Sequence, residues 1–296
     1  MANLKEVKGR IQSVTSTQQI TKAMKMVAAA KLRRAQDRII QMRPYSQKLS
    51  AIIQNVSAGV DSSKISNPYA EEREVNKVLL VVVTSDRGLC GAFNSNIMKA
   101  TKKHIAEKYA DVETQGGLTI LPVGKKAYEH FAKRGYNVID TYAHLFHDLD
   151  FAHVMEAAEF AMTGFVNGDF DQVDLIYNEF KNVATQILNT EQFLPIVQSE
   201  TEEEVPEEND YIYEPSQKFI FSEIIPKSLK IQFYKALLES NASEQGARMT
   251  AMDQATDNAG ELLKELRLTY NRTRQAAITK EILEIVGGAE ALAQGS

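Results

Sequence analysis

Apolar residues recur with three different spacings along the chain. In the first stretch, residues 1 to about 58, a heptad frame has its inner positions at 4, 7, 11, 14 and onward. Their occupants are Leu4, Val7, Ile11, Val14, Gln18, Thr21, Lys25, Ala28, Leu32, Ala35, Ile39, Met42, Ser46, Leu49, Ile53 and Val56. Twelve of these sixteen are apolar, the pattern of a supercoiled helix rather than a globular one. At about 1.5 Å per residue such a helix reaches roughly 87 Å. Propensity alone does not hold a helix of that length, so it needs a partner along its course. Pro44 is expected to bend it, because proline removes a backbone donor and crowds the carbonyl of Ile40.

The second stretch, about 70–215, alternates short apolar runs with amphipathic segments. Lys77 to Thr84 (KVLLVVVT) reads as a buried parallel strand. A helix over Asn94 to Tyr109, a strand over Leu118 to Val123 and a helix over Lys125 to Lys133 follow. Tyr136 to Thr141 forms a possible third strand, Phe151 to Asn167 a helix, and Val173 to Phe180 a further strand. Ala184 to Val197 reads as an added edge strand. Strand–helix alternation predicts an α/β layer with a mostly parallel sheet.

The last stretch returns to helical spacing. Pro226 fits a first helical turn, and no proline follows between Lys227 and about Leu292. Apolar positions recur at 238, 242, 249, 252, 259, 263 and 266, then, after a one-residue shift, at 278, 282, 285 and 289. Two long helices at opposite chain ends flank one α/β domain. The predicted fold class is therefore α/β plus coiled coil: a long antiparallel two-helix coiled coil from both termini with a Rossmann-like domain inserted between them. The expected domains are 1–58, 70–215 and 216–296.

Composition narrows the function. The chain has 296 residues, 44% hydrophobic and 25% charged, as in a soluble folded protein of about two domains. Its longest fully apolar run, Val78 to Val83, is far short of the roughly 20 residues of a membrane span. No apolar signal-peptide core stands near the N-terminus. The single cysteine, Cys90, excludes an internal disulfide framework and a Cys-cluster zinc site, and fits a reducing compartment. The net charge of −5 hides an asymmetry. Residues 1–43 hold ten Lys/Arg and two Asp/Glu, which leaves −13 for the rest. Residues 199–214 carry eight acidic side chains and no basic ones, the composition of a solvated loop. A basic arm on an acidic protein implies an acidic partner: nucleic acid, a lipid surface or an acidic protein.

Three places carry candidate chemistry. The loop Thr84 to Asn94 (TSDRGLCGAFN) ends the first strand where phosphates bind in α/β folds. It holds only G-x-x-G, at Gly88 and Gly91, and neither the dinucleotide nor the P-loop fingerprint. The alternative is that Asp86 and Asn94 cap turns. Cys90 in the same loop could be a thiolate near a helix N-terminus, or an inert, partly buried thiol. His144, His147, Asp148, Asp150 and His153 have metal-binding side chains but not the H-E-x-x-H helical arrangement. Asp148 or Asp150 is more simply a helix N-cap. In the basic N-terminal helix, no aromatic residue is interleaved among Lys22, Lys25, Lys31, Arg33, Arg34, Arg38 and Arg43, so stacking on nucleic-acid bases is not provided for.

Four runs carry a family resemblance: Ile20 to Arg33 (ITKAMKMVAAAKLR), Thr84 to Asn94, Ala242 to Asn258 (ASEQGARMTAMDQATDN) and Tyr270 to Thr279 (YNRTRQAAIT). Together they resemble the gamma subunits of F-type ATP synthases, over essentially the whole chain. The resemblance implies a rotor shaft. Its paired terminal helices would turn inside a ring of three alpha and three beta subunits, and its α/β domain would meet the epsilon subunit and the membrane c-ring. It implies a non-catalytic subunit with no cofactor, no bound nucleotide, no metal and no nucleic-acid partner, peripheral on the cytoplasmic face of a bacterial inner membrane.

The same resemblance implies partner-contact residues. Met24 and Lys25 fall in the coupling-sensitive N-terminal segment, with Glu244 and Arg248 expected opposite them. The polar heptad break at Gln18, Thr21 and Lys25 is expected to face the ring. Arg274, Gln275 and Thr279 resemble a polar catch to a beta loop, and Cys90 is expected close to the lower end of beta. Tyr211 and Glu214 resemble foot contacts to the c-ring. The acidic loop 199–210 departs from the family pattern. On the residues alone two other classes stay open: a nucleotide-binding enzyme with a coiled-coil appendage, and a static tether that binds nucleic acid or acidic lipid through residues 1–43.

Overall fold

The computed structural model describes residues 4–58, 67–147, 149–183, 185–196 and 217–294. The chain divides into two compact units, Met1–Val27 with Met249–Ser296, and Ala28–Arg248. The division runs inside both long helices, α1 (Leu4–Ala58) and α6 (Gln217–Gln294).

The larger unit is built on a five-stranded sheet. Its strands are β1 (Val78–Val83), β2 (Leu118–Val123), β3 (Asn137–Val138), β4 (Gln172–Phe180) and β5 (Gln186–Leu194), in spatial order β3-β2-β1-β4-β5. The first four are parallel, and β5 closes one edge antiparallel to β4. This is the doubly wound order with a hairpin at one side. β1 lies at the centre, with Val78 opposite both Leu118 and Gln172. All six of its residues are buried, which is why it reads as an unbroken apolar run. Pro122 lacks a ladder donor, and it stands past Ile120, the last β2 residue paired with β3.

Alternate residues of β1 enter separate cores on the two faces of the sheet, as the period of two requires. Leu79, Val81 and Val83 meet α5 (Phe151–Asn167) through Val154, Ala157, Ala161 and Phe165. The same core takes in Leu32, Ala35 and Ile39 of α1 and Leu229, Phe233, Leu237 and Ala242 of α6. On the opposite face Val78, Leu80 and Val82 meet α2 (Phe93–Lys108) and α4 (Lys125–Ala132) through Ile97, Ile105, Ala127 and Phe131.

Most predicted elements stand where the pattern placed them, with instructive exceptions. A short helix, α3 (Ala110–Thr114), follows Tyr109, and the predicted third strand shrinks to two residues. α1 continues through Pro44 to Ala58. Pro226 does not open the last helix: α6 begins at Gln217 and carries Pro226 inside it. All described inner heptad positions of α1 from Leu4 to Leu49 with an assigned burial are buried or half-buried, the polar Gln18, Thr21 and Lys25 included. In α6 the seam positions are buried or half-buried through Leu266, but Ile278, Ile282 and Ile285 are exposed.

One buried charge ties α2 to the sheet. Asp174 of β4 is 1% exposed. Its Oδ2 accepts from the Tyr109 hydroxyl at 2.6 Å and lies 2.7 Å from His104 Nε2, while its Oδ1 accepts from Gln172 Nε2 at 3.0 Å. Burial pushes the carboxyl up, but these bonds and the nearby Lys108 ammonium outweigh it and hold Asp174 below its ordinary value. Burial beside that charge drives the Tyr109 hydroxyl far upward. A depressed carboxyl contributes stability above its unfolded pKa and loses it as pH falls through the folded value. Asp174→Ala should therefore cost about 3 kcal/mol at neutral pH. Chemical denaturation from pH 7 to pH 3 should show the wild-type advantage over Asp174→Asn shrinking as the pH drops.

Candidate functional site

The smaller unit is an antiparallel helical pair. Val7, Ile11 and Val14 of α1 and Met252, Ala259 and Leu263 of α6 are its buried or half-buried apolar positions. A polar layer interrupts the seam. Thr21 Oγ1 and Thr256 Oγ1 are 2.8 Å apart, Gln18 Nε2 donates to the Thr256 carbonyl, and Lys25 Nζ pairs with Asp253 Oδ1. Gly260 stands where a Cβ would come within 3.0 Å of Gln18 Nε2. These pairs fix a register in which Leu4 falls opposite roughly residue 273, counting equal steps along both helices.

The heptad break is bonded within the helical pair itself. Gln18 and Thr21 are spent on the partner helix, with Thr21 only 8% exposed, and polar groups at inner positions specify register and orientation. The outward surface of α1 here mixes apolar with polar side chains: Ile20, Met26 and Val27 are exposed beside Gln19 and Lys22, and Met24 is half-buried. Lys25 and Asp253 remain open to solvent by 39% and 48%, so their ion pair adds little stability.

Every residue from Arg274 to Ala289 is exposed. Arg274, Gln275 and Thr279 lie on this segment beside Ile278, Ile282, Leu283, Ile285 and Val286. Five large apolar side chains within nine residues of one exposed helix make an interaction surface rather than a solvated one.

In the larger unit the candidate phosphate loop spends its polar side chains on the chain itself. The first backbone donors of α4 are taken: Lys125 N–H by Asp86 Oδ1 and Ala127 N–H by Thr84 Oγ1, each at 2.9 Å. Gly124, at φ +110°, lets β1 approach this turn; a Cβ there would sit 2.1 Å from the Thr84 carbonyl oxygen. Asn94 Oδ1 accepts from Ser85 N–H at 2.9 Å, so both Asp86 and Asn94 cap turns. Across the crevice, Arg248 of α6 donates to the carbonyls of Gly88 and Arg87 and pairs with Glu244 Oε1 at 2.6 Å. The loop carbonyls of Arg87 and Gly88 thus face a guanidinium of α6 rather than solvent.

Arg248 clasps the loop, with Glu244 as its carboxylate partner. Lys25 faces Asp253, and the α1 charge that reaches Glu244 is that of Lys31. Burial raises the Glu244 carboxyl above its ordinary value, and Arg248 opposes that. What the clasp holds is Leu89, which stands at φ +65° and is 66% exposed. A non-glycine residue in this region carries strain and persists only where its surroundings impose it.

Cys90, expected close to the lower end of beta, is buried within the chain itself. The residue is 1% exposed, its thiol lies 3.7 Å from Ser85 Oγ and 3.3 Å from Asn94 Nδ2, and burial pushes its pKa up. It is a packed thiol, not a nucleophile. The His144 and His147 rings lie 5.9 Å apart, and Asp150 occupies the N-cap position of α5. Among the described residues, no three His, Cys, Asp or Glu side chains converge to hold a metal. Asp148, Tyr211, Glu214 and the acidic stretch 199–210 lie outside the described residues.

Comparison with known proteins decides the family. A family model described as ATP synthase matches residues 3–292. The ATP synthase gamma chain of Cytophaga hutchinsonii is 59% identical over 294 residues, 99% of each chain, and that of Chloroherpeton thalassium is 53% identical over 306 residues, all of each chain. This chain belongs to the ATP synthase gamma-chain family. Solved structures agree on the fold. A chain of the Euglena gracilis mitochondrial ATP synthase, in its OSCP/F1/c-ring structure, superposes with a TM-score of 0.66 at 20% identity, covering 99% of this chain and 95% of that one. A chain of the Tetrahymena thermophila mitochondrial ATP synthase central stalk and c-ring gives 0.56 at 26% identity, covering 80% and 99%.

For this gamma-chain family member, the clasp yields a double-mutant test. Arg248→Ala leaves the buried Glu244 carboxylate unpaired and should cost about 3 kcal/mol. Adding Glu244→Ala should return a large part of that loss, by urea denaturation. If the double variant loses the full sum of the single ones, the two side chains are not a coupled pair. A thiol reagent at pH 8 should modify native Cys90 at least about tenfold more slowly than the urea-unfolded chain, because both burial and the raised pKa lower the accessible thiolate.

Proposed function

We propose that this chain is the central-stalk rotor subunit of an ion-translocating ATP synthase. It would couple ion flow through the membrane sector to ATP synthesis by turning inside a ring of three alpha and three beta subunits. The observation that carries the reading is the full-length similarity to bacterial ATP synthase gamma chains. The exposed apolar and polar run of α6 from Arg274 onward supports it, because such a surface needs a partner to cover it. The chain would be non-catalytic: the beta subunits hold the reacting sites, and this subunit changes which of them is open. Its three zones, 1–58, 70–215 and 216–296, would be the two shaft helices and the base between them.

The physical requirement is differential affinity. A shaft shifts a beta subunit between open and closed states only by binding one state better than the other. It must present different faces to the three beta subunits, and it must hold none of them so tightly that rotation stalls. Arg274, Gln275 and Thr279 would be a catch of hydrogen bonds made and released once per turn. Met24 and Lys25 would meet the ring from α1, where the excess of basic side chains suits acidic levers on beta. Glu244 and Arg248 would act through the loop they hold, with Leu89 as its outward contact. Tyr211 and Glu214 would touch the c-ring, beside the epsilon subunit. No helix among the described residues is long and apolar enough to cross a membrane. As part of that assembly the subunit would be peripheral, on the cytoplasmic face of the bacterial inner membrane.

Arg274→Ala combined with Gln275→Ala tests the catch. At about 1 kcal/mol per hydrogen bond, ATP synthesis by the assembled complex should fall roughly three- to tenfold. Both side chains are exposed in the isolated chain, so its thermal midpoint should hold. Synthesis at the wild-type rate would remove both residues from the catch.

A further inference from the structure

The two helices that cover the α2–α4 face of the sheet reverse the charge of the chain around them. α2 and residues 125–134, which hold α4, contain eight Lys/Arg and two Glu, within the part of the chain that sums to −13. Neighbouring acids do not cancel this excess. Glu107 pairs with Lys103, and the one carboxylate of Glu129 serves both Lys125 and Lys126. Lys108 lies 3.8 Å from the buried Asp174. Among the described residues, no carboxylate stands within ion-pair distance of Lys99, Lys102, Lys133 or Arg134.

Helical spacing gathers three of these cations. α2 buries Phe93, Ile97, Thr101 and Ile105, and α4 buries Ala127 and Phe131, in one shared core, so the helices lie side by side. Lys102 and His130 each stand one residue from a buried stripe, on the flanks between the helices. The charges that act on the His130 ring are the Arg134 guanidinium and the Lys102 ammonium. Arg134 is tied to the spot, since its Nη1 donates to the His130 carbonyl at 2.8 Å. Lys99 precedes Lys102 by one turn on α2. The His130 ring packs edge-on to Phe131, with centroids 5.0 Å apart, and its Nε2 is buried with no hydrogen-bond partner. Burial, then Arg134, then Lys102 push its pKa down. The nearest acid at the far end is Glu113 of α3, and it is engaged with the Tyr136 hydroxyl.

We propose that Lys99, Lys102 and Arg134 bind a phosphate group in the valley between α2 and α4. Charge selects the ligand. A phosphate dianion neutralises two cations at one point, whereas a single carboxylate leaves one of them over. The planar fork of Arg and the point charge of Lys are the donors that phosphate accepts best. His130 does not hold the ligand but lies beside it, and it regains its charge when an anion offsets the two cations. A free phosphate and a lipid headgroup offer the same chemistry, and the test separates them. The valley shares no residue with the Arg274–Thr279 segment or the Thr84–Asn94 loop, and so goes beyond the rotor reading.

The test follows the ring signals of the five histidines by NMR in the full-length chain, through a pH titration in inorganic phosphate and in chloride of equal ionic strength. His130→Gln assigns the His130 signal. In wild type, His130 should titrate at least about half a pH unit higher in phosphate than in chloride, and the other four should stay. In Lys102→Gln/Arg134→Gln, with its fold checked by circular dichroism, His130 should titrate higher already in chloride, and phosphate should add nothing. A phosphate shift that survives in this variant would overturn the site, because the anion then binds elsewhere. A shift shared by all five histidines would be a bulk ion effect and would overturn it too. The second arm is co-sedimentation with vesicles of phosphatidic acid in phosphatidylcholine. Variant-sensitive binding there, without a response to inorganic phosphate, assigns the phosphate to a lipid headgroup. No response in either arm ends the proposal. Neither arm needs another subunit or a nucleotide, so failure here leaves the ATP synthase reading untouched.

Discussion

A helix of 55 residues and one of 78 residues cannot stand alone in water. Helix propensity contributes a few tenths of a kcal/mol per residue at best, and exposed helices fray, so nearly all of their stability must come from burying an apolar stripe. α1 and α6 solve this in two ways. Where Leu32, Ala35 and Ile39 of α1 and Phe233, Leu237 and Ala242 of α6 enter the core of the larger unit, the sheet buries them. In the smaller unit the two helices bury Val7, Thr21, Ala259 and Leu263 against each other. A two-helix seam is narrow, so most of the surface of that unit stays available. The Gln18–Thr21–Lys25 layer keeps the pairing in one register, which an all-apolar seam of small residues would not specify.

The larger unit shows how a nucleotide-binding topology becomes a structural block. The strand order places a crevice outside the carboxyl ends of β1 and β4, the usual ligand position. Here Thr84 and Asp86 occupy the α4 donors, and Arg248 reaches in from α6, paired with Glu244, and donates to the carbonyls of Arg87 and Gly88. The energy that would bind a ligand instead fixes a helix and a strained loop. A rigid base suits a part that transmits torque, and a loop held at Leu89 offers a defined contact rather than an adaptable one.

Much of this was legible in the sequence, and the rest was hidden for physical reasons. The run Val78 to Val83 could only be a strand buried on both faces, and its alternation of cores follows directly. The α1 heptad was legible because an inner position is buried whichever partner covers it. The direction in which a polar inner residue points was not. Gln18, Thr21 and Lys25 looked like a face turned toward a third partner, and only the opposing helix, 235 residues away at Thr256, shows what they bond. The end of the seam was hidden likewise: Ile278, Ile282 and Ile285 continue the helical spacing of α6, yet all three are exposed. Pro226 misled because a proline is tolerated inside a helix when neighbours meet the freed carbonyl, which local sequence does not record. The burial of Cys90 depends on Ser85, Asn94 and a turn at Leu89, none of which has a spacing that announces it.

The account rests on one claim, that this chain works as the turning part of an assembly and has no reaction of its own. The most direct test is to purify alpha and beta subunits from the same organism and measure ATP hydrolysis with and without this chain. A complex of three alpha, three beta and one copy of this chain, with sustained hydrolysis that disappears when the chain is left out, is the predicted result. A chain that stays apart from alpha and beta, or that hydrolyses ATP by itself, would contradict it.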